Sequence, residues 1–349
     1  MGYLLGRTWT SAPVTGVVLT GWSLPYQWSQ YVSVAILFDG NDVERLDDLA
    51  SRPRRLNDTQ LLWADVDRKP ESGGEAAKAF DLDERTAKYL ELPHERPVFS
   101  DHGRYIHITT YAPRDDDEEC ELLAVECVVG ESWVITSHEQ PIPVLDEFAA
   151  RVSGSGETGT LDGPEFLAAL LEWVLGAYTA AFDRIEQQLE EFDVQAMRGE
   201  GGDQDIERLV SMRRQVGTLR RALAAHRSAL VALTHPELVL LGNNQSGERF
   251  KSLYSRFEAT LQEARDAREA VVGSFDVLIA RGGHKTNRIM TVLTLTSVIL
   301  LPGALVAGVM GMNFKVGLFE HASMFWVVVG VIVGMAPLTV GIAKRRRWI

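Results

Sequence analysis

Residues 289–314 read IMTVLTLTSVILLPGALVAGVMGMNF, residues 321–343 read HASMFWVVVGVIVGMAPLTVGIA, and neither run holds a charged residue. A helix needs about 20 such residues to cross a hydrocarbon layer of about 30 Å, and it satisfies its own backbone groups, as lipid demands. The two runs therefore read as membrane-spanning helices. The alternative, a tandem pair of buried core helices, is poorer, because core helices seldom run this long without a charge. Pro302 and Pro337 fall inside the runs, where neighbouring helices can satisfy the freed carbonyls. Arg281, Lys285 and Arg288 precede the first run and Lys344, Arg345, Arg346 and Arg347 follow the second, while the loop 315–320 is short and nearly neutral. The positive-inside bias then places both termini in the cytoplasm and the loop outside. Trp326 and Trp348 are candidate interface anchors.

Averages over the chain conceal this. Its 349 residues suggest two domains by length, and 46% apolar with 24% charged residues resembles a soluble protein. Residues 281–349, however, hold eight Lys/Arg against one acidic residue, so this tail carries +7 and the remainder −20 of the total −13. A pI near 5.2 argues against a nucleic-acid partner, which needs clustered Lys/Arg. Two cysteines, Cys120 and Cys127, make neither a disulfide framework nor a four-cysteine zinc site. They read as reduced cytosolic thiols, with a redox or metal pair as the lesser alternative. No apolar stretch follows a basic start in residues 1–22, so no secretory signal is expected.

Upstream of the apolar runs, residues 1–152 read as an N-terminal cytosolic α/β domain. Strand candidates rich in Val, Ile, Thr and aromatic residues are 16–21, 31–38, 60–65, 104–111, 121–129 and 133–138, with helices at 75–80 and 84–90. The acidic run 115–119 reads as a solvated hairpin loop, a weak cation site being the alternative. Residues 153–161 form a linker. It contains G-x-G-x-x-G, but a helical stretch rather than a strand precedes it, which counts against a dinucleotide fingerprint. Asp162 is a helix N-cap, with Pro164 inside the first turn and Glu165 at its third position. Residues 162–243 read as a helical hairpin, the second arm running from Asp203 to Leu233. Residues 244–288 form a stalk helix, in which Phe250, Leu253, Phe257, Leu261, Ala264, Val271, Phe275 and Leu278 make a heptad-like stripe. With no proline before Pro302, the stalk runs straight into the first span. About 65 residues at 1.5 Å each give roughly 100 Å, of which about 30 Å is membrane. The basic tail 344–349 closes the chain. The fold class is thus an α+β cytosolic domain, long stalk helices and two C-terminal transmembrane helices.

No G-x-S-x-G, H-E-x-x-H or Walker A pattern occurs, so an enzyme is not expected. His102 and His107 read as ordinary strand or loop residues. The informative motif is Gly311-Met312-Asn313 at the end of the first span. Together with Asp276-Val277, Lys285-Thr286-Asn287, Met290, Leu293-Thr294, Pro302 and Ala307-Gly308, it resembles the signature of the CorA superfamily of divalent metal-ion transporters. The residue-level resemblance covers about 276–313, and the two-span, long-stalk architecture matches throughout.

The resemblance implies a funnel-shaped homopentamer in the lipid bilayer, its pore lined by the first span. Its cargo would be Mg2+, with Co2+ or Ni2+ as further ions; divalent metal ions would be transported or regulatory ligands, with no organic cofactor. Two spans alone cannot enclose a channel, which independently calls for an oligomer. Asn287, Met290, Thr294, Ser297, Leu301, Ala304 and Gly308 share one uncharged face, whose ordinary alternative is helix packing. Mg2+ sheds water reluctantly, so a ring of Asn313 amides suits a hydrated ion. Gly311 lets the backbone leave the helix. Leu301, with Met290 or Leu293, could close the path by dewetting. Asp276, on the face of Asn287, would form a carboxylate ring at the cytosolic end, or else face outward or pair with Arg281.

Where the family's magnesium channels usually carry Met-Pro-Glu after the tripeptide, this chain has Phe314-Lys315-Val316-Gly317-Leu318-Phe319-Glu320; Met310 stands for an aromatic and Ala304 for a pore hydroxyl. These departures resemble the ZntB branch, so the alternative function is a zinc transporter coupled to protons. A non-conducting membrane-anchored sensor or scaffold is the second alternative.

Overall fold

The computed structural model describes residues 33–345 except 41, 47–48, 54, 58, 93–96, 117–118, 155–160, 199–202, 236–237, 239, 241–243 and 313–321. The expected strand 16–21, Asn313, the outer loop, most of the linker and the end of the basic tail lie outside the described residues.

Among the described residues seven strands form one sheet: β1 (Ser33–Asp39), β2 (Asp42–Leu46), β3 (Gln60–Asp67), β4 (Phe99–Asp101), β5 (Ile106–Asp116), β6 (Glu119–Val129) and β7 (Trp133–His138), in the order β2-β1-β3-β7-β6-β5-β4. Only β3 and β7 are parallel, Ala64 opposite Ile135. Alternation decides the layers. Leu61 and Trp63 of β3 face one side; Leu62, Ala64 and Val66 face the other, and all five are buried. Helices α1 (Pro70–Ala79) and α2 (Glu84–Glu91) cover the second side, and α3 (Pro143–Gly154) with the long helices covers the first. The short strands β2 and β4 escape the sequence pattern, because three to five residues on a sheet edge show no alternation to read. The acidic run is less of a loop than expected: β5 and β6 continue into it, with Asp115 opposite Cys120 and Asp116 opposite Glu119.

Beneath α2, β5 and β6 bury a charged network. Glu126 Oε1 lies 3.3 Å from Arg68 Nη2, and its Oε2 is 2.9 Å from His107 Nε2 and accepts from Thr109 Oγ1 at 2.8 Å. His102 instead holds Asp83, the N-cap of α2, at 2.7 Å. Cys120 and Cys127 are free. Seven residues apart on one strand, they point to opposite faces about 23 Å apart and cannot pair within a protomer.

Helix α4 (Gly163–Arg198) starts as expected: Asp162 Oδ1 accepts from the Glu165 N–H at 2.8 Å. Its first residue must be glycine, since a Cβ on Gly163 would lie 2.0 Å from the Gly130 carbonyl oxygen. That contact, with Gly163 N–H donating to the Glu131 carbonyl at 2.7 Å, fixes α4 to the sheet. The second arm is broken where it was expected to be continuous, into α5 (Asp203–Ala225) and α6 (Arg227–Leu233). The cause is tertiary: His226 turns its Nε2 to accept the backbone N–H of Tyr111 at 2.8 Å, on β5 beyond its pairing with β4. Burial holds the His226 pKa down at about 4, against the pull of nearby backbone carbonyls at Ala222 and Leu223, and so keeps that acceptor neutral.

Helix α7 (Asn244–Met310) is unbroken through 67 residues. Phe250, Leu253, Phe257, Leu261, Ala264 and Val271 are all buried against α4 and α5. Hydrogen bonds mark the register: Ser246 Oγ to Asp162 Oδ2 (3.4 Å), Thr179 Oγ1 to Glu263 Oε2 (3.0 Å) and Ser274 Oγ to Asp193 Oδ2 (3.2 Å). Helix α4 therefore runs parallel to α7, α5 returns alongside it, and α6 reaches Glu258 through Arg227 at 3.0 Å. Helix α8 (Ala322–Arg345) packs on the distal part of α7. By length and apolarity α4 and α7 would both qualify as membrane spans, but 61% of the α4 window is buried and none of the α7 window is. Burial thus assigns α4 to the soluble core.

Candidate functional site

Past Leu278, α7 leaves the support of α4 and α5, and large apolar side chains become exposed: Ile279, Ile289, Met290, Leu293, Leu300, Leu301 and Leu305. Coverage returns along a single stripe. Thr291, Leu295, Ile299, Pro302, Gly303, Val306 and Met310 are half-covered, and a Cβ on Gly303 would sit 3.4 Å from Ile332 Cγ2 of α8. This stripe is the seam between the two apolar helices.

Asn287, Met290, Thr294, Leu301, Ala304 and Gly308 are exposed, and Ser297 is half-covered. At 100° per residue their face is centred about 150° from the α8 seam. The structure therefore brings the sequence-selected residues to the side of α7 that none of the described elements of the protomer covers. Leu293 lies at the edge of that face. Asp276 is exposed on the same side, two residues beyond the Ser274 bond to Asp193.

The polarity of this face is restrained. On this face Ser297 donates to the Leu293 carbonyl at 2.8 Å; on the seam side Thr291 and Thr296 likewise donate to the carbonyls of Asn287 (2.9 Å) and Val292 (2.8 Å). Such back-bonding stores hydroxyls against the helix. Pro302 has no N–H to offer the Val298 carbonyl, and a shallow groove lined by Leu293, Thr294, Ser297, Val298, Leu301 and Pro302 opens there. Among the described residues, no three His, Cys, Asp or Glu side chains gather as a metal site.

Helix α7 ends at Met310. The Gly311 N–H still reaches the Ala307 carbonyl at 2.9 Å, and Met312 N–H bonds Val309 at 3.3 Å in a tightened last turn. Within one protomer nothing demands glycine at 311: its φ is not positive, and an added Cβ would meet only ordinary contacts at 3.4 Å or more. Gly311 and exposed Met312 thus sit at the C-terminal end of α7, next to Asn313, which lies outside the described residues.

Sequence reasoning missed the Ser274–Asp193 bond and the half-covered seam. The seam was visible as a second three/four-residue stripe, but it could not be told from the uncovered one without the position of α8.

Known proteins agree with this arrangement. Residues 58–345 match the family model described as CorA-like Mg2+ transporter protein. The cobalt/magnesium transport protein CorA of Thermotoga maritima is 22% identical over 264 residues, covering 73% of this chain and 74% of its own. Among solved structures, the complete CorA magnesium transporter of Methanocaldococcus jannaschii superposes with a TM-score of 0.74 at 20% identity, over 91% of this chain and 99% of that one. The cytoplasmic domain of ZntB from Vibrio parahaemolyticus matches at 0.57 and 12% identity, over 72% of this chain and 98% of that one. Because the family match runs from just ahead of β3 to the last turn of α8, taking in strands β3 to β7, the stalk and both apolar helices, this chain belongs to the CorA-like Mg2+ transporter family.

Proposed function

We propose that the chain is a divalent-cation channel that conducts hydrated Mg2+, with Co2+ and Ni2+ as further cargo, through a homopentameric pore lined by α7. The observation that carries this reading is the uncharged, uncovered face of α7 opposite the α8 seam. A row of exposed Met, Leu, Ala and Gly with occasional amides and hydroxyls is a poor lipid anchor, but it suits the inner wall of a bundle.

Mg2+ holds its water in near-octahedral geometry. A wall of amide and hydroxyl oxygens can touch that water shell without stripping it, whereas a carboxylate cage would trap the ion. Asn313, with Gly311 and Met312, is assigned the outer selectivity ring. The carbonyl ends of several α7 helices converging there add partial negative charge. Leu301, with Met290 or Leu293, is assigned the apolar constriction that closes by dewetting, and Asp276 the carboxylate ring at the cytosolic end. Both termini face the cytoplasm of the inner (plasma) membrane.

The residues after the tripeptide, Phe314 to Glu320, lack the Met-Pro-Glu of magnesium channels and favour a second reading, proton-coupled zinc transport. One experiment tests both: purified protein in liposomes, with flux followed for Mg2+, Co2+, Ni2+ and Zn2+ with and without a pH gradient. Gradient-independent Mg2+ flux supports the channel, and gradient-dependent Zn2+ flux the second reading. Absence of flux for every ion refutes both and leaves a membrane-anchored sensor.

A further inference from the structure

The α4–α5 hairpin carries its charge unevenly. Residues 183–197 of α4 hold Asp183, Glu186, Glu190, Glu191 and Asp193 against Arg184 alone, whereas residues 210–221 of α5 hold Arg213, Arg214, Arg220 and Arg221 and no acid. The two stretches lie at the same height. Arg208 Nη1 donates to Gln195 Oε1 at 3.4 Å across the hairpin. Equal steps away from that bond along two antiparallel helices put Met197 level with Ile206, Val194 within one residue of Val210, Glu190 level with Arg213 and Asp183 level with Arg220. A route through α7 gives the same register to within a residue, since Asp193 of α4 is tied to Ser274 and Arg227 to Glu258.

The level residues sit on opposite flanks. At 100° per residue Ile206, Val210, Arg213, Arg214, Arg220 and Arg221 all lie within 60° of the direction opposite Arg208, so they form the flank of α5 turned away from α4. On α4, Asp183, Glu190, Val194 and Met197 fall in a 60° sector centred about 130° round the helix from Gln195. All of these residues are exposed except half-covered Arg220. Among the described residues Asp183, Glu190, Arg213 and Arg220 form no ion pair within the protomer.

Exposed charge by itself needs no partner. What calls for one is the order. From the hairpin tip each flank reads two large apolar side chains and then charge, so that apolar matches apolar and cation matches acid at equal heights. Within one protomer the flanks point away from each other and cannot meet. A rotation about an axis along α7 keeps every residue at its own height. In a ring of copies the basic flank of one protomer therefore meets the acidic flank of the next at these levels. Such a contact joins two different faces, as a heterologous ring does, and complementary charge fixes its register. A lipid surface could cover the tip, but not two flanks that each run about 20 Å along the helices.

We infer that each flank is covered by a second copy of this chain. Ile206 and Val210 of one protomer pack on Met197 and Val194 of the next, and further from the tip Arg213 and Arg220 pair with Glu190 and Asp183. The inference rests on the proposed reading that several copies surround an axis along α7, and it adds a contact outside the pore.

The test uses two differently tagged versions of the full-length chain, co-expressed and purified together, both with half-covered Cys120 replaced by serine. One carries Met197→Cys and the other Ile206→Cys. A short bismaleimide should join the two versions to each other and neither to itself. R213E/R220E in the Ile206→Cys chain should slow this cross-linking about tenfold, as two exposed attractions become repulsions. Adding D183R/E190R to the Met197→Cys chain should restore the rate to within about twofold, as a charge swap does for residues in direct contact. Cross-linking that is absent, indifferent to R213E/R220E, or not restored by the reversed partner would each overturn the proposal. Oligomer size by light scattering separates this failure from that of the pore reading: an oligomer without the cross-link refutes the flank contact alone, and a monomer refutes both.

Discussion

Ser274 holds the stalk at the last point where α7 is supported from the side. Its hydroxyl, 3% exposed, donates to Asp193 Oδ2 on α4 at 3.2 Å, and the other carboxylate oxygen, Oδ1, is buried without a partner. Ser274→Ala removes the one donor, among the described residues, to a carboxylate that stays where it is. A hydrogen bond to a charged group is worth about 1.5–3 kcal/mol, and stranding its partner costs a similar amount. The lost hydroxyl itself leaves little void. Taking about 2 kcal/mol, the population in which α7 parts from α4 rises about thirtyfold, because 1.4 kcal/mol is a factor of ten. Amides of residues 272–283 should then exchange with deuterium about thirtyfold faster in the local-opening regime. Those around Phe257 and Leu261, held by the buried stripe, should not change. Asp193→Asn, which keeps an acceptor but loses the charge, should fall between. Identical exchange in both segments of Ser274→Ala would refute the view that this bond restrains the stalk. Asp276 is two residues further along, so a released stalk should also displace the metal dependence of flux.

Other expectations concern the pore and the sheet. Asn313→Ala should cut flux about tenfold or more, the effect of losing one hydrogen-bond interaction of ~1.5 kcal/mol with the hydrated ion, with oligomer size unchanged by chromatography; wild-type flux would remove Asn313 from the path. Leu301→Asn hydrates the proposed constriction and should raise leak at high internal metal; a fall in conductance with intact folding would mean that Leu301 contacts a neighbouring helix. Asp276→Asn should lose most of the metal-induced thermal stabilisation, which for a site filled at 100 times its Kd amounts to about 2.7 kcal/mol; superimposable melting curves would make Asp276 a plain surface charge. His138 sets a pH dependence. Burial disfavours its charged form, but the carboxylate of Asp65 at 3.1 Å and the Gln140 carbonyl prevail and raise its pKa from 6.5 to about 9. A raised pKa contributes stability that is complete below pH 6.5 and is lost as pH climbs through about 9, about 3.4 kcal/mol in all. Melting temperature measured over that window should fall in wild type and stay flatter in His138→Gln; parallel slopes would refute the assignment.

The sequence by itself determined whatever depends on local chemistry with a period. Two charge-free runs of 26 and 23 residues can only be satisfied as helices in lipid. The stripe from Phe250 to Val271 could only be a buried helix face, and Asp162 with Glu165 three residues on marked a helix start that the backbone honours. The Gly311-Met312-Asn313 tripeptide carried the family before any coordinate was known. Only the tertiary structure decided which of two equally periodic faces of α7 is free, because Met290, Leu301 and Leu305 look no different in sequence from Leu295, Ile299 and Val306 until α8 covers one set. It alone broke the second helical arm, since a neutral His226 is drawn out of line by a strand amide more than a hundred residues away. It alone also sent α4, apolar enough to span a membrane, into the soluble core. In each case the outcome rests on contacts between segments distant in the chain, whose energies no local pattern of residues records.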